Sequence, residues 1–374
     1  MKSNLKRALA LAAGVALSCA PSAQHAPSLA TSPLVESANR FLESLDAQQR
    51  ARVLYAFDDE QQRARWSNFP TAVVPRGGLA LKDLNEAQRS AAMALVAAAL
   101  SPQGFEKVQQ IMAGDEVLKV TEADRPPPGP GSGPPPGAPP EGKPPFPGGK
   151  PPFDGRNLFG QDLYYVSLLG KPSASQPWAL QFGGHHLALN LTMTGAQGVL
   201  TPSLTAAQPA AYESQGKTIR PLGRENDKAF ALLNSLDQDQ RQKAVLNYRV
   251  PDLVLGPGHD GQTIQPEGLQ ASAMTESQRA LLLDLIAEWA TIVSDTFSAA
   301  RMASLRADLD RTFFAWSGPT SVSPGKNGSS YYRIQGPKLV IEYAPQGQRD
   351  DPSTHVHTMY RDPTNDYGRL ATHR

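Results

Sequence analysis

The chain repeats itself, and the repeat limits what it can fold into. Leu42-x-Ser44-Leu45-Asp46-x-x-Gln49-Arg50 returns 191 residues on as Leu233-x-Ser235-Leu236-Asp237-x-x-Gln240-Arg241. Gly78-Leu79, Leu84, Glu86, Gln88 and Arg89 return 190 residues on as Gly268-Leu269, Met274, Glu276, Gln278 and Arg279. Two motifs that keep nearly one offset point to a tandem duplication. The motifs also have a mechanical meaning. Asp46-x-x-Gln49, Asn85-x-x-Gln88, Asp237-x-x-Gln240 and Thr275-x-x-Gln278 read as capping boxes. In each, a short polar side chain caps a helix and the Gln reaches back to the cap's own N–H. Apolar residues follow at helical spacing: Val53, Leu54 and Phe57 after the first box, Leu281, Leu282, Leu285, Ile286 and Trp289 after the last. Each half therefore opens with two capped amphipathic helices.

A third helical stretch is expected over 105–118, with its counterpart over 297–314. Residues 126–152 are dominated by Pro and Gly and can supply neither backbone donors nor a packed face. They read as an extended excursion of polyproline type. Beyond them Tyr164-Tyr165 matches Tyr331-Tyr332 at an offset of 167, short of 191 by about the length of that stretch. The stretch therefore reads as an insertion into the first copy. Strands are then expected over 163–169, 178–182 and 186–191, with a tight turn at Gly183-Gly184, and over 331–335, 339–343 and 354–360. The expected fold is α+β: a tandem duplication of a three-helix plus antiparallel β-meander unit, pseudo-two-fold, with repeat 1 over 34–218 and repeat 2 over 219–374 in one globular body.

The start of the chain reads as an export signal over 1–19. Lys2, Lys6 and Arg7 precede an apolar run over 8–17, which is too short to span a bilayer. Cys19, the only cysteine, follows Ala16-Leu17-Ser18, which reads either as a lipoprotein signal with a lipid anchor through Cys19 or as simple cleavage after a small residue, with Cys19 lost. A flexible tether over 20–33 comes next. The expected location is extracytoplasmic: periplasmic, cell-surface or secreted. No apolar segment of the mature chain is long enough to cross a membrane. With 36 basic against 35 acidic side chains, nothing electrostatic argues for nucleic acid as a partner. Phosphate-cradling loops, GxSxG and HExxH are absent.

Chemistry concentrates in four histidines. His185-His186 and His355-x-His357 each stand at the start of a returning strand, one pair in each repeat, so repeats packed face to face could bring all four to one site between them. Residues two apart on a strand project from one face, so His355 and His357 can bind one ion. His185 shares parity with Leu187 and Leu189, His186 with Ala188 and Asn190, so three ligands are easier to build than four. Glu342 is an unusual charge within Leu-Val-Ile-Glu-Tyr. It could serve as ligand, as partner to an imidazole, or as general base. Arg361 and Asp362 follow the His pair and could position substrate or simply pair with each other. The expected cofactor is a divalent transition metal, Zn, Cu or Fe, because a nitrogen-rich set suits these better than Mg or Ca. The function read from this is an exported metal-binding protein, a metal-dependent hydrolase or oxidoreductase of unknown substrate. The alternative is a non-catalytic ligand-binding or structural envelope lipoprotein.

Several stretches carry a resemblance. They are 159–165 (Phe-Gly-Gln-Asp-Leu-Tyr-Tyr), 181–190 (Gln-Phe-Gly-Gly-His-His-Leu-Ala-Leu-Asn), Tyr331-Tyr332-Arg333-Ile334-Gln335-Gly336-Pro337 with Ile341-Glu342-Tyr343, and 355–363 (His-Val-His-Thr-Met-Tyr-Arg-Asp-Pro). In this order they resemble the secreted family catalogued as domain of unknown function 3500, from about Asn39 to the C-terminus. The resemblance implies export and a shared fold. It implies no reaction.

Overall fold

The computed structural model describes residues 32–122, 158–346 and 351–372. The signal with Cys19, most of the tether, His25, the insertion over 126–152 and His373 lie outside the described residues.

All four capping boxes form: the side chains of Asp46, Asn85, Asp237 and Thr275 accept from the N–H of the Gln three residues on, and each Gln reaches back. The Gln side chains do a second job. Gln49 bonds Gln88, and Gln240 bonds Gln278. Gln88 and Gln278 also donate to the carbonyls of Ser44 and Ser235. Those carbonyls end the helices Ser32–Ser44 and Gly223–Ser235, so each half carries one main helix more than the three expected. The extra helices have no box to announce them. Packing holds them: Leu34, Ala38, Phe41 and Leu45 form a buried stripe at helical spacing.

The expected helix over 297–314 is corrected. The helix is Asp295–Ala307; a short turn follows, and Phe313–Ser317 is a strand. The aromatic run Phe313-Phe314-Ala315-Trp316 pairs with Tyr331–Gly336 on one side and Leu269–Gln270 on the other, and this pairing overrides helical continuation.

Among the described residues twelve strands form one large, mostly antiparallel sheet, so the molecule is of mixed α+β class. Its central path runs Tyr165–Leu169, Trp178–Gly183, Leu187–Thr194, Ser203–Ala207, Val356–Arg361, Leu339–Pro345, Tyr331–Gly336, Phe313–Ser317. Strands from both halves of the chain thus merge into one sheet. The join is Ser203–Ala207, a strand the sequence reading passed over, paired to Leu187–Thr194 on one side and Val356–Arg361 on the other. The match of Tyr164-Tyr165 to Tyr331-Tyr332 does not survive. Leu79–Ala80 pairs with the Tyr165 strand, whereas Leu269–Gln270 pairs with Phe313–Ser317, so the two dipeptides hold different places in the sheet.

Helices cover one face. Val166, Leu168, Leu180, Phe182, Leu187 and Leu189 meet Phe41, Leu95, Val96 and Ile111 in one core. Ile334, Ile341, Tyr343 and Tyr360 meet Leu233, Leu282, Leu285 and Trp289 in a second. Each such side chain contributes about 1.5–3 kcal/mol by leaving water. The opposite face is more polar: Gln62, Ser167, Gln181 and Asn190 bond one another beneath the 56–78 segment. Among the described residues no helix is long and apolar enough to cross a membrane.

Two glycines are required by the backbone. Gly78 (φ +94°) and Gly268 (φ +96°) lie in the left-handed half of conformational space, and a Cβ on either would overlap the carbonyl oxygen of Val166 or Phe314. Gly78→Ala and Gly268→Ala should each lower stability by at least about 1–3 kcal/mol, read as a drop in the urea midpoint. An unchanged midpoint would mean that the facing carbonyl yields freely.

Candidate metal centre

The histidines meet at one end of the central strands. Residues 184–186 form the turn into Leu187–Thr194. Gly183 is still paired with Ala188, so the turn falls one residue later than expected. His186 occupies the left-handed region (φ +62°), a strain of about 1–2 kcal/mol for a residue with a Cβ. Its carbonyl accepts from the N–H of Ala206 (2.8 Å). Ala206 in turn stands opposite His357, and Ala344 flanks His357 on the far side. His186, at the end of the turn, and His357 therefore flank Ala206 on either side, and their ring centroids lie 5.4 Å apart. His355, two residues before His357, projects from the same face, its ring 4.5 Å from that of His357 and nearly perpendicular to it.

Three ring nitrogens converge. His355 Nε2 is 3.0 Å from His186 Nε2 and 2.9 Å from His357 Nε2. His186 and His357 are buried, while His355 is partly exposed. Burial, with neighbouring imidazoles adding to it, holds His186 and His357 well below the ordinary range and takes His355 down to about 3. All three are neutral near pH 7. A neutral imidazole presents one N–H and one lone pair. His355 Nε2 can therefore satisfy one of its two short contacts by a hydrogen bond, and the other sets like against like. A shared cation satisfies all three. Bonds of about 2.0–2.1 Å to one ion separate ligand nitrogens by roughly 2.9 Å at right angles and roughly 3.3 Å at tetrahedral angles. One ligand nitrogen from each of His186, His355 and His357 lies within 4.8 Å of the other two, so the set could hold a metal ion.

His185 stands one layer behind. Its ring lies 3.4 Å, centroid to centroid, from that of His186, and its Nδ1 is 2.9 Å from Asp115 Oδ1. Asp115 Oδ1 is also 3.7 Å from His186 Nδ1, so Asp115, His185 and His186 form a second group with metal-ligand spacing. The Tyr164 hydroxyl lies 2.8 Å from Asp115 Oδ2 and from the His185 carbonyl. Burial raises the Asp115 carboxyl, opposed by His185, and raises the Tyr164 hydroxyl, with Asp115 adding to it. On the other side Asn68 Nδ2 is 3.4 Å from His357 Nδ1. Arg76 holds that segment in place by donating to the carbonyls of Ser67, Phe69 and Gly184, the last of these just before His185.

The remaining sequence candidates are not brought to this cluster. Both oxygens of Glu342 are engaged: by the N–H groups of Val254 and Leu255 (2.7 and 2.8 Å) and by the Tyr331 hydroxyl (2.7 Å). Arg361 is buried and donates to the carbonyls of Leu255 and Gly256 and to Asp260 and Asp366. Asp362 accepts from Arg301 and from Thr364 rather than from Arg361. Glu342 and Arg361 thus hold the loop over 254–260, while Asp362 ties the end of its strand to the helix Asp295–Ala307.

Sequence reasoning missed Asp115, Tyr164 and Asn68. For Asp115 a signal was there. It falls in the helical stripe of Val108, Ile111, Met112 and Leu118, all buried, and a carboxylate in an apolar stripe asks for a partner. Asn68 lies in a loop and carries no pattern.

No curated protein and no solved structure matches the chain. The model of one family does, over residues 28–369, a span that includes every residue of the histidine cluster. The chain belongs to that family, described as protein of unknown function (DUF3500).

Proposed function

We propose that the protein is an extracytoplasmic metal-dependent enzyme, tethered through Cys19, whose centre is the Nε2 set of His186, His355 and His357. The convergence of three neutral imidazole nitrogens on one point carries this reading. Three protein ligands leave coordination positions free, which is the pattern of catalytic rather than structural sites. The partly exposed His355 marks the side from which a substrate would arrive. A bound divalent ion would supply Lewis-acid activation of water or of a substrate oxygen. The chain's own residues hold the imidazoles neutral, aim their lone pairs and keep competing carboxylates such as Glu342 tied to the backbone.

The same reading takes the two halves as copies of one unit, repeat 1 over 34–218 and repeat 2 over 219–374. Support comes from the matched capping boxes, the paired glycines at 78 and 268, and parallel pairing at both Leu54–Leu168 and Val245–Trp316.

The test is metal content after purification without a histidine tag. One ion per chain is expected in the parent, and little in a His355→Ala/His357→Ala variant. Equal metal in both would sink the reading. Cobalt-substituted protein should then change its visible spectrum on adding azide. No change would assign a closed carrier site instead of an enzyme.

A further inference from the structure

We propose that Asp115 is a positioning residue of the metal centre: its carboxylate accepts a hydrogen bond from His185 Nδ1 and faces His186 Nδ1, favouring the tautomer that keeps the proton there and leaves the Nε2 lone pair of His186 for His355 and His357. The inference rests on the metal reading above. To ligate through Nε2, a neutral His186 must carry its proton on Nδ1. That Nδ1 is buried and has no hydrogen-bond partner among the described residues. A buried N–H left unpaired costs about 1–3 kcal/mol, so a facing acceptor matters. Asp115 Oδ1 stands 3.7 Å from it and already bonds His185 Nδ1. The other carboxylate oxygen is fixed by Tyr164.

The placement has a second consequence. Asp115 is nearly inaccessible to water, and among the described residues no Lys or Arg is paired with it. An anion buried without a cation is costly. A metal ion one imidazole away offsets that cost. Asp115 belongs to the helix Pro102–Glu122, and His185 and His186 to the strained turn before Leu187–Thr194, so one carboxylate ties the helical layer to the left-handed residue that delivers a ligand.

The experiment measures zinc affinity by competition with a chromophoric chelator, in the parent and in Asp115→Asn and Tyr164→Phe. Nitrogen-15 spectra of histidine-labelled, zinc-loaded parent report the His186 tautomer. Expected are one zinc per chain throughout, affinity weakened roughly 10–100-fold in Asp115→Asn and less in Tyr164→Phe, and a proton on His186 Nδ1. Unchanged affinity in Asp115→Asn overturns the proposal. So does loss of a second zinc equivalent, which would make Asp115 a ligand in its own right. A proton on His186 Nε2 also overturns it, and that measurement needs no variant to fold. If the parent binds no zinc or other transition metal, the metal reading itself fails and this inference falls with it. If the parent binds zinc but Asp115→Asn binds it equally well, only the inference fails.

Discussion

A Lys107→Met protein will be less stable than its parent by about 3–5 kcal/mol, the range for removing one partner of a buried ion pair. Lys107 belongs to the helix Pro102–Glu122 and is nearly inaccessible. Its ammonium touches the Glu225 carboxylate, lies 3.0 Å from the Glu288 carbonyl and 3.6 Å from the Glu288 carboxylate. Glu225 and Glu288 sit on helices of the second half, Gly223–Ser235 and Glu276–Ala290, so this cation stitches the two helical layers together. Glu225 is wholly buried, and its second oxygen has no partner among the described residues. Burial raises the Glu225 carboxyl and Lys107 opposes the rise. Removing Lys107 therefore pushes it higher still. A carboxyl raised in the folded state is destabilising at pH above its folded value and relaxes as it takes up a proton in acid. The cost of Lys107→Met should accordingly be largest near pH 8 and shrink toward pH 5. Adding Glu225→Gln should recover part of it, because the orphaned charge is gone. Urea unfolding at the two pH values decides. A cost below about 1 kcal/mol at pH 8, the range of exposed ion pairs, would mean that water reaches the cluster.

What was legible in the chain was what is local. The capping boxes are set by residues three apart, and all four formed. The shared face of His355 and His357 follows from strand parity alone. What was illegible depends on neighbours distant in sequence. Ser203–Ala207 has the composition Ser-Leu-Thr-Ala-Ala, weak as a strand, yet it lies at the middle of the sheet because two longer strands pair with it. Its Ala206 pairs with His357 and donates to the His186 carbonyl, so the strand bridges the two. The histidine pairs were expected to converge as equivalent positions of two copies. They converge instead across this unexpected strand, one pair in a turn and the other at a strand's beginning. Glu342 drew notice as a charge in an apolar run, and that run does bury it. Its partners, the backbone of Val254 and Leu255, come from a loop that no periodicity points to.

Acid and chelator should act on the same three imidazoles. His186, His355 and His357 have folded-state values depressed by burial, that of His355 to about 3. Well above about pH 6.5 neither the folded nor the unfolded chain protonates them appreciably, and they add almost no pH dependence. Below it the unfolded chain binds up to three more protons than the folded one. Stability then falls, by up to about 4 kcal/mol per pH unit where all three differ, and for His355 the loss continues until the pH nears its folded value. A bound ion adds to stability, about 4 kcal/mol at a thousandfold excess over its dissociation constant. It requires the same neutral nitrogens, so release of the ion and unfolding should coincide in acid. In tag-free protein the urea midpoint should be nearly flat from pH 8 to 7, fall steeply from 6 to 5, and rise on zinc loading. The His355→Ala/His357→Ala variant should show a shallower fall, since two of the three imidazoles are gone, and no response to zinc. Parallel pH curves for parent and variant would mean that these imidazoles titrate as in water. An equal zinc response in both would put the ion somewhere other than between His186, His355 and His357, and the neutral, inward-facing triad would then be a packing solution alone.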